Sequence, residues 1–303
     1  MSIGVPEVRR TAGKTETHPK VRDMDETDLR LPDGRILHVY DSAPGDDARL
    51  ALFWHHGTPN LGTPPAPLFE AGEWLGIRWI SLDRPGYGGS TANPGRTVAS
   101  VTADLTTVAD ALLVDTFALM GYSGGGTYAL GAAAILGERV EAVTTLAAIA
   151  PYDAPGLDWY DGMLPSGLAS LRAAAAGRDA KMRHETSGVE YDPEFTPADL
   201  ALFDGPWSWL GSVAGDTSMP NGPDGLIDDD CSYVVPWGCD PAKITAPTLL
   251  VHGTGDRIVP SSHGRWLGDH ILTAELDLHP GDSHISVLAH AEAGLEWIRE
   301  RTG

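Results

Sequence analysis

Uninterrupted apolar runs alternate along this chain with stretches whose apolar residues recur every three or four positions. The runs at 50–54, 77–82, 117–120, 140–150 and 247–252 read as strands whose hydrophobicity predicts burial on both faces, and a further strand is expected at 274–278. Between them, Val98, Val101, Leu105, Val108, Ala109, Leu112 and Leu113 fall at helical spacing, and helices are also expected at 262–271 and 286–299. Extended segments at 27–31 and 35–40 flank the turn residues Pro32, Asp33 and Gly34, which predicts a hairpin. Buried strands alternating with helices predict a mostly parallel sheet with helices on both faces, an α/β architecture.

The alternation stops after residue 150. From 151 to 240 no buried strand is expected; alanine-rich and tryptophan-bearing segments predict a mostly helical insertion, long enough to roof a site and too short for a second α/β domain. Residues 1–25 mix charges, Thr and Pro without periodicity and are expected to form a tail or a docking arm. The organisation is thus a tail at 1–25, a core built from 26–150 and 241–303, and a helical cap at 151–240.

Composition acts mainly by exclusion. The 303 residues are 42% hydrophobic and 21% charged, as in ordinary globular proteins, but the formal net charge is -21. Such a chain repels nucleic-acid backbone and anionic membrane surfaces, and no basic cluster offsets it locally. With no apolar run of membrane-spanning length and no signal-like start, the expectation is a cytoplasmic protein with neither nucleic acid nor membrane as partner. Cys231 and Cys239 fit no zinc spacing and are expected as free thiols, with a disulfide between them left open.

Candidate chemistry centres on Ala118 to Gly126, ALMGYSGGG, where an apolar run gives way to a glycine-rich turn and then a helix-like segment. Gly121 and Gly125 stand two before and two after Ser123, as a GxSxG nucleophile elbow requires where strand end and first helical turn nearly collide. A serine hydroxyl needs a histidine as general base and a carboxylate to orient it. Past later strands, at the sheet edge where functional groups collect, lie Asp256 in GTGDRIVP and His284 in GDSH.

Five segments in order, HHGTP at 55–59, DRPGYGGS at 83–90, GYSGGG at 121–126, GTGDRIVP at 253–260 and GDSH at 281–284, resemble the α/β-hydrolase fold family. The resemblance implies Ser123 as nucleophile, His284 as general base and acid, Asp256 as orienting carboxylate, and backbone N–H groups of Thr58 and Gly124 as the oxyanion hole. It implies no metal or organic cofactor and a small-molecule acyl substrate. A serine at 123 argues against the epoxide and haloalkane hydrolases that resemble this loop, since they carry aspartate there.

Other residues compete for roles. His55, His56 and His252 are alternative bases or structural histidines, and Asp282 is an alternative acid too near His284 to reach its far ring nitrogen. Arg84 and Tyr87 read as structural. The run 221–230 fails the calcium-loop pattern, which leaves an acidic surface or hinge, or a site for a substrate ammonium. Tyr122, Trp159, Trp207, Trp209 and Trp237 are candidate pocket walls, the tryptophans equally the insertion's own core. The function expected is hydrolysis of an ester or related acyl bond. Alternatives are a proline-iminopeptidase-like aminopeptidase, a cofactor-free acyltransferase, lyase or perhydrolase, and a non-enzymatic ligand receptor. Against the aminopeptidase, those relatives carry a glycine where Thr58 stands and a tryptophan where Gly124 stands.

Overall fold

The hairpin comes first in the computed structural model, which describes residues 24–302. Strands β1 (Asp25–Arg30) and β2 (Ile36–Asp41) pair antiparallel. The expected N-terminal arm lies outside the described residues, apart from its last two, of which Asp25 already belongs to β1. Then follow β3 (Leu50–His55), α1 (Phe69–Trp74), β4 (Ile77–Leu82), α2 (Val98–Ala111), β5 (Phe117–Tyr122), α3 (Gly124–Leu136) and β6 (Val140–Leu146). An insertion carrying α4 (Pro165–Ala175), α5 (Arg178–Glu185), α6 (Pro197–Phe203), α7 (Leu210–Val213) and α8 (Asp224–Tyr233) precedes β7 (Thr248–Gly253), α9 (Ser261–His270), β8 (Ala274–His279) and α10 (Ala291–Arg301).

The strands form one sheet in the order β1-β2-β4-β3-β5-β6-β7-β8, parallel from β4 to β8, with β2 antiparallel to β4. Side chains alternate across it. Phe53, Ile80, Leu119, Val143 and Leu250 pack on one face with Val101, Leu105, Tyr128 and Leu267 of α2, α3 and α9. Leu52, Trp54, Met120, Leu146 and Val251 pack on the other with Leu295 and Ile298 of α10. This two-sided burial is why these strands read as continuous apolar runs.

Two boundaries differ from the sequence expectation. The strand expected to reach residue 150 ends at Leu146, because Ala147 takes a left-handed φ of 55° and turns the chain out of the sheet. The expected closing helix opens as a 3-10 turn over Ser286–His290 and becomes α-helical only at Ala291. Among the described residues no helix is long and apolar enough to cross a membrane, and Cys231 and Cys239 are unpaired.

Candidate active site

Ser123 joins β5 to α3 with φ 55° and ψ -128°, a conformation that costs an L-residue strain and persists only where neighbours enforce it. Its N–H donates to the Leu146 carbonyl at 2.8 Å, tying the turn to the end of β6. The flanking glycines have no room for side chains: a Cβ on Gly121 would meet the Gly125 carbonyl, and one on Gly125 would run into the His55 and His56 carbonyls. The strand end, the helix start and the 55–57 loop therefore touch backbone to backbone, and Ser123 is held 8% exposed at their junction.

The Ser123 Oγ lies 3.0 Å from His284 Nε2, and His284 Nδ1 lies 2.8 Å from Asp256 Oδ2. A carboxylate only accepts, so Nδ1 carries the proton and Nε2 is left to accept from the serine. Asp256 Oδ1 accepts the N–H groups of Ile258 and Val259, each at 2.8 Å, which fixes the carboxylate with its other oxygen toward the imidazole. His252 sits behind this pair, 3.6 Å from Asp256 and bonded to the Val259 carbonyl at 2.7 Å. Asp282 instead bonds His290 at 2.8 Å.

The segment after His284 is held from the insertion. Asp199, third residue of α6, forms a capping box with Thr196 through Oδ2, while Oδ1 accepts the N–H groups of Ile285 at 3.0 Å and Ser286 at 2.8 Å. Burial would raise its carboxyl, but these N–H groups hold it below the usual carboxylate range. The sequence reading missed Asp199; its one local signal is the T-x-x-D cap spacing of Thr196 and Asp199.

On the opposite side of Ser123 lies the loop after β3. The Arg84 backbone N–H donates to His56 Nε2 at 3.1 Å, so His56 Nδ1 bears the hydrogen and donates to the Gly57 carbonyl at 2.8 Å. Both bonds lock a neutral tautomer, and burial with the nearby Arg84 charge pushes His56 well below its ordinary pKa. Burial and the same arginine push His55 down to about 3. The Arg84 guanidinium grips the carbonyls of His56 and Gly57 and the hydroxyl of Thr58. In a trans peptide the N–H points opposite to the C=O, so this grip turns the Thr58 N–H away from the arginine. Among the described residues the N–H groups of Thr58 and Gly124 have no hydrogen-bond partner.

Arg84 is itself held by α8. The fully buried Asp229 carboxylate takes Arg84 at 2.7 Å, Arg96 at 2.7 Å, Tyr87 at 2.9 Å, Tyr128 at 2.7 Å and the Thr58 hydroxyl at 2.7 Å. Burial alone would raise its carboxyl; the two guanidiniums hold it well below the carboxylate range instead. Asp228 pairs with Arg178 at 2.7 Å, and Asp230 pairs with the buried Lys181 at 2.5 Å. Within the run read from sequence as an acidic surface or hinge, Asp228, Asp229 and Asp230 thus lie buried on α8, because each meets a cation distant in sequence. None of the three is left free for a substrate ammonium. Arg84 and Tyr87 are structural, as expected, in that they clamp Asp229.

The Tyr122 ring lies beside that of His284, and its hydroxyl donates to the His284 carbonyl at 3.2 Å. Trp159 is buried against Tyr152, Tyr160 and His263 and donates to the Ala150 carbonyl at 2.9 Å. Trp237 is buried in the cluster containing α2 and α3, and Trp207 and Trp209 pack edge-on in the opposite one. His279, Asp282 and His290 bring three potential metal ligands together. The two imidazoles, however, stack 3.3 Å apart at 17°, so their in-plane lone pairs do not converge on one ion, and each bonds a carboxylate instead.

Residues 51–288 match the profile of a family described as the alpha/beta hydrolase fold. The chain is 26% identical over 220 residues to a Synechocystis protein named "Putative non-heme chloroperoxidase", covering 72% of this chain and 78% of that one. It is 25% identical over 270 residues to a 2-hydroxy-6-oxononadienedioate/2-hydroxy-6-oxononatrienedioate hydrolase of Klebsiella pneumoniae, covering 86% and 89%. Among solved structures, the enol-lactonase of Burkholderia xenovorans superposes with a TM-score of 0.64 at 20% identity, over 90% of this chain and 98% of that one. With the sheet order and the strained serine turn described above, the chain belongs to the α/β-hydrolase fold family.

Proposed function

We propose that this protein is a serine hydrolase that cleaves a carboxylic ester or related acyl bond of a small molecule through an acyl-enzyme. The observation that carries the reading is the continuous relay from Ser123 through His284 to Asp256 at 3.0 and 2.8 Å. Ser123 Oγ attacks the substrate carbonyl carbon as His284 Nε2 takes its proton, and Asp256 stabilises the imidazolium. The carbonyl oxygen, now an anion, accepts the unpaired N–H groups of Thr58 and Gly124, the latter at the positive end of α3. His284 returns the proton to the leaving group, and water repeats the sequence to free the acid and Ser123. No step calls for a cofactor. The insertion roofs the site: Asp199 and Asp229 bring α6 and α8 against the His284 and Thr58 loops.

An aminopeptidase needs a free carboxylate for the substrate ammonium, and the ion pairs of Asp228, Asp229 and Asp230 speak against that reading. Rates on short-chain p-nitrophenyl esters compared with amino-acid p-nitroanilides test the choice. The esters are expected to be turned over and the anilides not; preference for the anilides would overturn it.

A further inference from the structure

Helix α8 carries Asp229 and Tyr233 one turn apart, on a single face. Asp229 anchors the helix on Arg84 and Arg96, and Tyr233, buried, reaches over the start of α3. Its hydroxyl lies 2.8 Å from Thr58 Oγ1 and occupies the place where a Cβ on residue 124 would stand. The absence of a side chain after Ser123 is therefore matched by a phenol delivered from the insertion, set beside Gly124 and the Thr58 hydroxyl.

Hydrogen counting fixes the direction of the Tyr233 bond. The Thr58 hydroxyl has one hydrogen, which goes to the Asp229 carboxylate at 2.7 Å, and one of its lone pairs accepts from Arg84 at 3.0 Å. Only the second lone pair remains, so Tyr233 donates. The bond is replaceable, because Thr58 Oγ1 keeps its other two partners when the phenol turns away. Burial and the Asp229 charge raise the Tyr233 pKa well above its ordinary value, so the group stays a donor.

The geometry points to Tyr233 as a further catalytic residue: its O–H swings from Thr58 Oγ1 to the substrate carbonyl oxygen as negative charge develops, a third donor beside the N–H groups of Thr58 and Gly124. No proton is transferred and no bond to Tyr233 forms. The inference rests on the serine-hydrolase reading.

The test compares wild type and Tyr233→Phe, as the full chain, on a p-nitrophenyl ester and its thionoester. Sulfur is the poorer hydrogen-bond acceptor, so a lost oxyanion donor slows the oxygen ester more. For the variant, kcat on the oxygen ester is expected to fall about 100-fold, the lower end of the cost of one oxyanion donor, with KM little changed and the oxoester-to-thionoester ratio reduced. A tyrosine that only packs the helix would lower the melting temperature and leave that ratio alone. Gly124→Ala is the second variant, since its methyl displaces the hydroxyl while keeping the residue 124 N–H; it should lower kcat and the ratio in the same sense. An unchanged ratio in both variants, with an active wild type, overturns the role of Tyr233 alone. A wild type inactive on both esters overturns the hydrolase reading, and this inference with it.

Discussion

The two sides of Ser123 are built by different means. On one side, Asp256 and His284 come from loops after neighbouring strands β7 and β8, 28 residues apart; the Asp256 carboxylate is fixed by the adjacent Ile258 and Val259 N–H groups, and the segment after His284 by Asp199 of the insertion, 86 residues from Ile285. On the other side, proposed to hold the oxyanion, Thr58 and through it Tyr233 are tied to a buried ion cluster in which Arg84 and Arg96 of the core meet Asp229 of the insertion, 145 and 133 residues away. One side is set mainly by the loops after two adjacent strands, with one hydrogen-bonded tie to the insertion. The other is a long-range electrostatic joint, and the insertion braces the loops on both sides of Ser123.

The largest effect that separates the sides is on rate. Ser123→Ala or His284→Ala should lower kcat by about 10,000-fold or more with the melting temperature nearly unchanged, because the relay carries chemistry and little structure. Steady-state kinetics beside calorimetry check both halves of that statement. Asp229→Ala should behave in the opposite manner: it strands two buried guanidiniums and is expected to cost about 3–5 kcal/mol of stability, read by urea denaturation. A variant that loses activity at unchanged stability would show that the joint does not hold the fold.

Acidification distinguishes the sides next. His55 is pushed down to about 3 in the fold, so below the free-histidine value near 6.5 the unfolded chain binds more protons than the native one, and stability falls with pH. Between pH 6.5 and 5 this residue alone accounts for about 2 kcal/mol, and His56 acts in the same direction. Below about pH 4, Asp229 adds to the loss, since its depressed carboxyl stabilises the fold only while the unfolded carboxyl would also be ionised. Melting temperature against pH reads this directly; a flat curve from pH 7 to 5 would contradict it. A smaller effect on stability than that of Asp229 is expected where the insertion meets the relay. Asp199→Ala removes the acceptor for Ile285 and Ser286 and should cost about 1 kcal/mol, as a lost cap does. Displacement of His284 should lower kcat by about 10- to 100-fold. Asp199→Asn, which keeps an acceptor oxygen, should recover most of it.

The same contrast explains what was legible in the sequence. The elbow, Asp256 and His284 stand at the ends of buried strands, where apolar runs stop at glycine-rich turns, so pattern and position both mark them. Asp228, Asp229 and Asp230 read as solvent-facing because three consecutive acids carry no hint of Arg84, Arg96, Arg178 and Lys181, which only the fold brings to them. Tyr233 is hidden for the same reason. Its signals are a glycine after the nucleophile, which leaves room for the phenol, and helical spacing from Asp229. Strand β6 was read too long because Ala148, Ile149 and Ala150 are as apolar as a strand and the turn at Ala147 is set by backbone conformation.

The central claim, that Ser123 is a nucleophile activated by His284 and Asp256, is tested most directly by incubating the protein with a fluorophosphonate probe and mapping the adduct by mass spectrometry. The account predicts one adduct, on Ser123, lost in Ser123→Ala and strongly slowed in His284→Ala. A wild-type protein that stays unlabelled, or is labelled at another residue, would contradict it.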